Sequence, residues 1–154
     1  MTESAAPDLT HAKPFEGPIT DPLSQALGLV ARHEMNPEGK ARLEYEAGQH
    51  MCHSGGVVQG GFVTGWLDAA MAHAVIAMAG MDITPMSLEL KVSFFAPTRP
   101  GRVFAEAWVE RRGGSTCFME ARLLDPAGAV LAKASSTLRL ADRKRVEASA
   151  RAAV

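Results

Sequence analysis

The chain has 154 residues, 47% of them hydrophobic and 21% charged, with a net charge of -1, which suits one ordinary hydrophobic core and is short for two. That charge supplies no basic field for nucleic acid or an anionic membrane surface. Cys52 and Cys117 lack metal-ligand spacing, which excludes a disulfide framework or a structural zinc site from the leading expectations.

Residues 1–22 hold prolines at 7, 14, 18 and 22 and few bulky apolar side chains, so they are expected to form a loosely ordered arm on which Phe15 and Ile19 dock. Asp, Pro and Lys stand where a secretory signal would need an apolar core, and no apolar run is read as membrane-spanning. The expected setting is therefore the cytoplasm. Asp21-Pro22 opens a short helix through Ala26, because Asp suits the N-cap and Pro the first helical position.

A strand over Leu27–Met35 and another over Lys40–Glu46 flank Asn36-Pro37-Glu38-Gly39, a turn sequence that makes the pair a hairpin. After the glycine-rich stretch the apolar period becomes helical from about Val57, through Val63, Trp66, Leu67, Ala70, Ala74 and Met78. This helix has no broad polar face, so other elements must wrap it. The wrapping is supplied by Met86–Phe94, where Met86, Leu88, Leu90, Val92 and Phe94 alternate with polar residues, and by strands over Arg102–Arg111, Thr116–Leu124 and Ala129–Leu140. Connections this short require antiparallel neighbours. Ala141–Val154, charged and alanine-rich, reads as a frayed helix or disorder, leaving 23–140 as the single domain.

Within the apolar helix Asp68 is anomalous, since a buried acid costs several kcal/mol unless it is paired, hydrated or neutralised. At about 100° per residue, Gly61, Gly65, Asp68 and Ala72 share one stripe, leaving room for a ligand or another backbone. Just before it, the glycines that lead into the helix start suit close approach of an anionic group to unsatisfied N–H donors. His73 stands about 140° around the helix from Asp68, so the two do not form a dyad and His73 reads as structural. Cys117 reads as core.

Strand, strand, long helix and four strands, an antiparallel curved sheet wrapped around a central helix, is an α+β arrangement that resembles the hotdog fold (β-β-α-β-β-β-β). The stretch His53, Gln59-Gly60-Gly61 and Asp68 resembles the PaaI-like acyl-CoA thioesterases of that superfamily. There an Asn or Gln precedes a His-Gly-Gly step by six residues, and an Asp or Glu follows that His by nine. Spacing is kept here, while His53 and Gln59 replace the usual side chains. The likeness runs over roughly 27–140, through the strand near Ser87, the Pro97–Gly101 connection and the Asp125–Gly128 turn.

The resemblance implies hydrolysis of an acyl-CoA thioester to a carboxylic acid and free coenzyme A, with no cofactor or metal. Asp68 would be general base or nucleophile, the Gly60 N–H would donate to the developing oxyanion, and Ser87 would hold water, reaching the site from the partner chain of a homodimer or homotetramer. Gln59 would orient the loop or donate beside the Gly60 N–H. His53 can donate to a carbonyl and titrate near neutrality. Arg99, Arg102, Arg111 and Arg112 are candidates for the coenzyme A phosphates, and Phe62, Trp66 and Met71 for the acyl pocket. Two rival readings are a hotdog enoyl-CoA hydratase or dehydratase, using His53 with Asp68, and a non-catalytic acyl-CoA-binding protein.

Overall fold

The computed structural model describes residues 18–154; Phe15 lies outside them. In chain order the elements are α1 (Pro22–Ala26), β1 (Leu29–Asn36), β2 (Lys40–Ala47), a 3-10 turn (Gln49–Met51), α2 (Gly60–Ala79), β3 (Ile83–Phe94), β4 (Gly101–Arg112), β5 (Thr116–Leu124), β6 (Val130–Asp142) and α3 (Arg143–Ala152). The six strands form one antiparallel sheet in the order β1-β2-β4-β5-β6-β3. This is the hotdog arrangement expected from the sequence.

Local chemistry accounts for the entry to the fold. Asp21 caps α1 through the Ser24 N–H at 2.8 Å, with Pro22 in the first turn, and Ile19 packs against the core. The β1–β2 hairpin closes on Gly39, whose φ of 83° and close approach to Val109 leave no place for a side chain. Along β2, Ala41, Leu43, Tyr45 and Ala47 all point into the core, the period-2 pattern of a half-buried strand.

The sheet wraps α2, which buries Val63, Trp66, Leu67, Ala70, Met71, Ala74, Val75 and Ala77. Trp66 is fully buried, stacks on Tyr45 with ring centroids 5.7 Å apart, and donates its Nε1–H to the Leu27 carbonyl at 2.7 Å. That bond ties the helix to the turn between α1 and β1. With 20 residues and a mean hydropathy of 1.4, α2 is long and apolar enough to cross a membrane by composition, contrary to the reading of the sequence. In this fold the sheet covers it.

Strand β3 departs from simple alternation. A bulge between Ser87 and Glu89 leaves Leu88 as an extra residue relative to β6, and an inserted residue reverses the faces beyond it. Ser87 and Leu90 therefore both face inward, while Met86 and Leu88 are exposed. β3 is also an edge strand, with β6 on one side only. At the other end of the chain, β6 runs to Asp142, whose carboxylate accepts the Arg145 N–H and caps α3.

Candidate active site

The loop between β2 and α2 is built from its own backbone. The His53 N–H donates to the Val57 carbonyl and the Gly56 N–H to the His53 carbonyl, both at 3.0 Å. An isolated bridge joins Cys52 to Val58. The His53 Nδ1 accepts the Gly55 N–H at 3.1 Å, so its ring serves its own turn. His53 and Asp68 are not bonded to each other; each has a different partner.

Gln59 is the N-cap of α2. Its side-chain oxygen accepts the Gly61 N–H at 2.7 Å, and its carbonyl accepts the Phe62 N–H at 3.0 Å. The first N–H groups of a helix have no intrahelical acceptor, and here Gln59 takes two of them. The Gly60 N–H has no acceptor among the described residues. A donor left open at a positive helix end suits a carbonyl oxygen that gains negative charge.

Asp68 lies two turns further on, half-buried, on the stripe with Gly61, Gly65 and Ala72 that the sheet leaves least covered. Ser87 Oγ donates to Asp68 Oδ1 at 2.6 Å, a short charge-assisted bond. This corrects the expectation that Ser87 would reach Asp68 from a partner chain. The connection Gly80–Asp82 turns the chain back so that β3 runs along α2. From Ala79 back to Asp68 is about 16 Å of helix, and from Ile83 forward to Ser87 about 13 Å of strand, so the two side chains come level within one protomer.

The remaining candidates separate cleanly. His73 Nδ1 bonds the Ala69 carbonyl at 2.8 Å, and burial holds its pKa below the ordinary imidazole value, in keeping with a structural residue. Cys117 is buried, and burial pushes its thiol up. Trp66 and Met71 are core and Phe62 packs against the core. Arg102 is held by Glu44 at 3.1 Å and Glu46 at 2.7 Å, whereas Arg99, Arg111 and Arg112 are exposed. Among the described residues no cluster of three or more His, Cys, Asp or Glu could hold a metal.

Sequence reading missed the wall facing Gly60. A cavity of about 410 Å³ lies beside the start of α2, lined by Gly60, Val63, Phe94, Phe95 and Thr98 among others. A Cβ on Gly60 would meet the Phe94 ring at 3.2 Å. Phe95 to Thr98 belong to a connection, which no periodicity marks, and the alternation that includes Phe94 does not tell that it ends an edge strand against Gly60.

A family model described as the thioesterase superfamily matches residues 55–132, a span that contains Gln59, Gly60, Asp68 and Ser87. Among solved structures, a phenylacetic acid degradation-related protein of Ralstonia eutropha is 28% identical, with a TM-score of 0.73 over 80% of this chain and 92% of that one. A conserved protein of Pseudomonas aeruginosa is 24% identical, with a TM-score of 0.73 over 79% and 95%. The PaaI protein of the E. coli phenylacetic acid degradation operon is 20% identical, with a TM-score of 0.72 over 79% and 86%. At those last two identities the likeness speaks for the fold alone. No curated protein matches.

Proposed function

Because this chain belongs to the thioesterase superfamily, whose model spans just over half of its 154 residues, we propose that it is an acyl-CoA thioesterase, with water cleaving the thioester to a carboxylic acid and free coenzyme A. The observation that carries this reading is the pairing of Ser87 with Asp68 on the open stripe of α2, alongside the unclaimed Gly60 N–H at the helix start. A carboxylate and an oxyanion donor are the two groups that hydrolysis of an acyl carbon requires.

In this mechanism Asp68 takes a proton from water as the oxygen adds to the thioester carbon. The carbonyl oxygen becomes anionic against the Gly60 N–H. Collapse of the tetrahedral intermediate breaks the C–S bond, and the departing thiolate takes up the proton. Ser87, donating to Asp68, keeps its lone pairs free to hold the attacking water. If Asp68 instead attacks the carbon directly, departure of the thiolate leaves a mixed anhydride, and water opening that anhydride at the aspartyl carbon puts solvent ¹⁸O in the Asp68 carboxylate in a single turnover, a label the general-base route never leaves there.

Gly60 and Asp68 are eight residues apart, about 12 Å along the helix, which strains any arrangement of both around one carbonyl. A second copy supplies the missing half in this reading: Asp68 and Ser87 from one protomer act with Gly60 from its partner. The open edge of β3, where Leu88 is 61% exposed, is the surface for that homodimer, since unpaired edges favour strand addition. A homotetramer would stack two such pairs. The separate bonding of His53 and Asp68 gives the hydratase alternative no acid–imidazole dyad within a protomer.

Release of free thiol from a panel of acyl-CoA substrates tests the proposal. Asp68→Asn should lower kcat by about 100-fold or more. Full activity in both Asp68→Asn and Asp68→Ala would remove Asp68 from the chemistry, and a wild-type protein that hydrolyses no thioester in the panel would overturn the function itself.

A further inference from the structure

Where β6 gives way to α3, the outer side of the sheet carries a cavity of about 370 Å³ lined by Met86, Arg139, Leu140, Arg145, Val146 and Ser149 among others. Three elements build it. Met86 and Arg139 face each other across the β3–β6 pair, on the side opposite Ser87, which points inward to Asp68. On α3, Arg145 and Ser149 are four residues apart and Val146 and Ser149 three, so all three share one face of the helix. The Asp142 carboxylate, accepting the Arg145 N–H at 3.0 Å, holds the first turn of α3 against the end of β6.

The walls divide by chemistry. Met86, Leu140 and Val146 are apolar, with Met86 43% exposed, while Arg139, Arg145 and the Ser149 hydroxyl supply donors. Further along the sheet Arg42 and Arg122 are paired with Glu106, and Arg102 with Glu44 and Glu46. Arg139 and Arg145 have no ion-pair partner among the described residues. The acid on the wall, Asp142, has its Oδ1 taken by the helix cap. Next to these residues Arg143 and Lys144 add two cations and Glu147 one acid, in a chain whose net charge is -1, so positive potential is concentrated at this corner.

An apolar wall beside two unneutralised guanidinium groups calls for an anion carried on an apolar body. Set against the two arginines, the Asp142 charge leaves a single positive charge on the walls, which favours a monoanion over a dianionic phosphate ester. The volume lies at the small end of ligand pockets. We propose that this corner is a second ligand site, separate from the Asp68 centre, for a short-chain carboxylate: the carboxylate is held by Arg139 and Arg145 and the hydrocarbon tail lies against Met86 and Val146. The acid released by the hydrolysis proposed above belongs to this class, a link that rests on that reading; the site itself does not.

Titration calorimetry of the full chain with octanoate tests the assignment. Arg139→Gln and Arg145→Gln should each weaken binding about tenfold, and the double substitution should remove one bound octanoate per chain. Lys40→Gln, on β2, should leave binding unchanged. Acetate, which lacks the tail, should bind at least about tenfold more weakly than octanoate, and octyl phosphate no more tightly. Thioester kcat/KM should hold in both arginine variants; a loss there equal to the loss of octanoate affinity would merge the two sites and overturn the proposal. A wild-type chain that binds no octanoate, or a double variant that binds it as wild type does, would also overturn it, and octyl phosphate binding more than about tenfold tighter would overturn the ligand class. Because the titration needs no turnover, arginine-dependent binding in a chain that hydrolyses no thioester would end the hydrolase reading and leave the site standing, while unchanged binding in an active double variant would do the reverse.

Discussion

Gly60→Pro isolates the oxyanion donor without dismantling the helix that carries it. Proline lacks only the N–H, and at the first position of a helix that group has no intrahelical acceptor. Gln59, the preceding residue, already has φ -64° and ψ 136°, the extended conformation that a following proline requires. The new ring would approach Phe94, whose nearest ring atom lies 3.2 Å from an added Cβ, but that side chain is 54% exposed and can swing aside. Reduced freedom of the unfolded chain contributes about 0.4–1 kcal/mol in favour of the fold, so the melting temperature should be held or rise by a few degrees, at roughly 2–4 °C per kcal/mol. Loss of one oxyanion donor removes roughly 2.7–4 kcal/mol of transition-state stabilisation, about 100- to 1000-fold in kcat. Steady-state thiol release with the melting curve of the same sample gives both numbers, and Gly60→Ala, which keeps the N–H, should retain most activity. A Gly60→Pro enzyme with kcat within threefold of wild type and an intact fold would refute the donor role.

Ser87→Ala removes the 2.6 Å bond to Asp68; because both groups are reached by water, stability should change by less than about 1 kcal/mol while kcat/KM falls about tenfold, and an unchanged kcat/KM would make Ser87 a passive neighbour. Trp66→Phe leaves the Leu27 carbonyl without its 2.7 Å donor and opens space in the core, a loss of roughly 2–3 kcal/mol that thermal melting should show as a fall of roughly 4–12 °C. Burial lowers the His73 pKa below the ordinary imidazole value of 6.5, so the unfolded chain binds the proton more readily than the folded one. The stability this gives is present above pH 6.5, is lost as pH falls from there toward the folded pKa, and levels off below it. Urea midpoints of His73→Gln should therefore show a flatter slope than wild type across that window, and identical slopes would exclude His73 as the source.

Much of the fold is legible because its signals are local. Asp21-Pro22 specifies the start of α1, the turn ending at Gly39 specifies the hairpin, and the shift from alternating to helical period marks α2. Thr116–Leu124 is the strand expected, residue for residue. The bulge at Leu88 was hidden, because Met86 to Phe94 alternates perfectly in sequence and only pairing with β6 displaces one residue. The 3-10 turn Gln49–Met51 and the cap role of Gln59 likewise rest on hydrogen bonds that spacing does not encode.

By itself the sequence determined the order of elements, the apolar helix that must be wrapped, and the anomaly of one carboxylate in that helix, since each follows from periodicity or from the cost of burying charge. Only the tertiary structure decided who meets whom. It set Ser87 against the Asp68 of its own chain, gave Gln59 and His53 to the backbone of their loop, and left Gly60 N–H open beside Thr98 and Phe94. Those contacts depend on how far β3 runs back along α2 and where its bulge falls, distances between residues remote in the chain that no local pattern fixes.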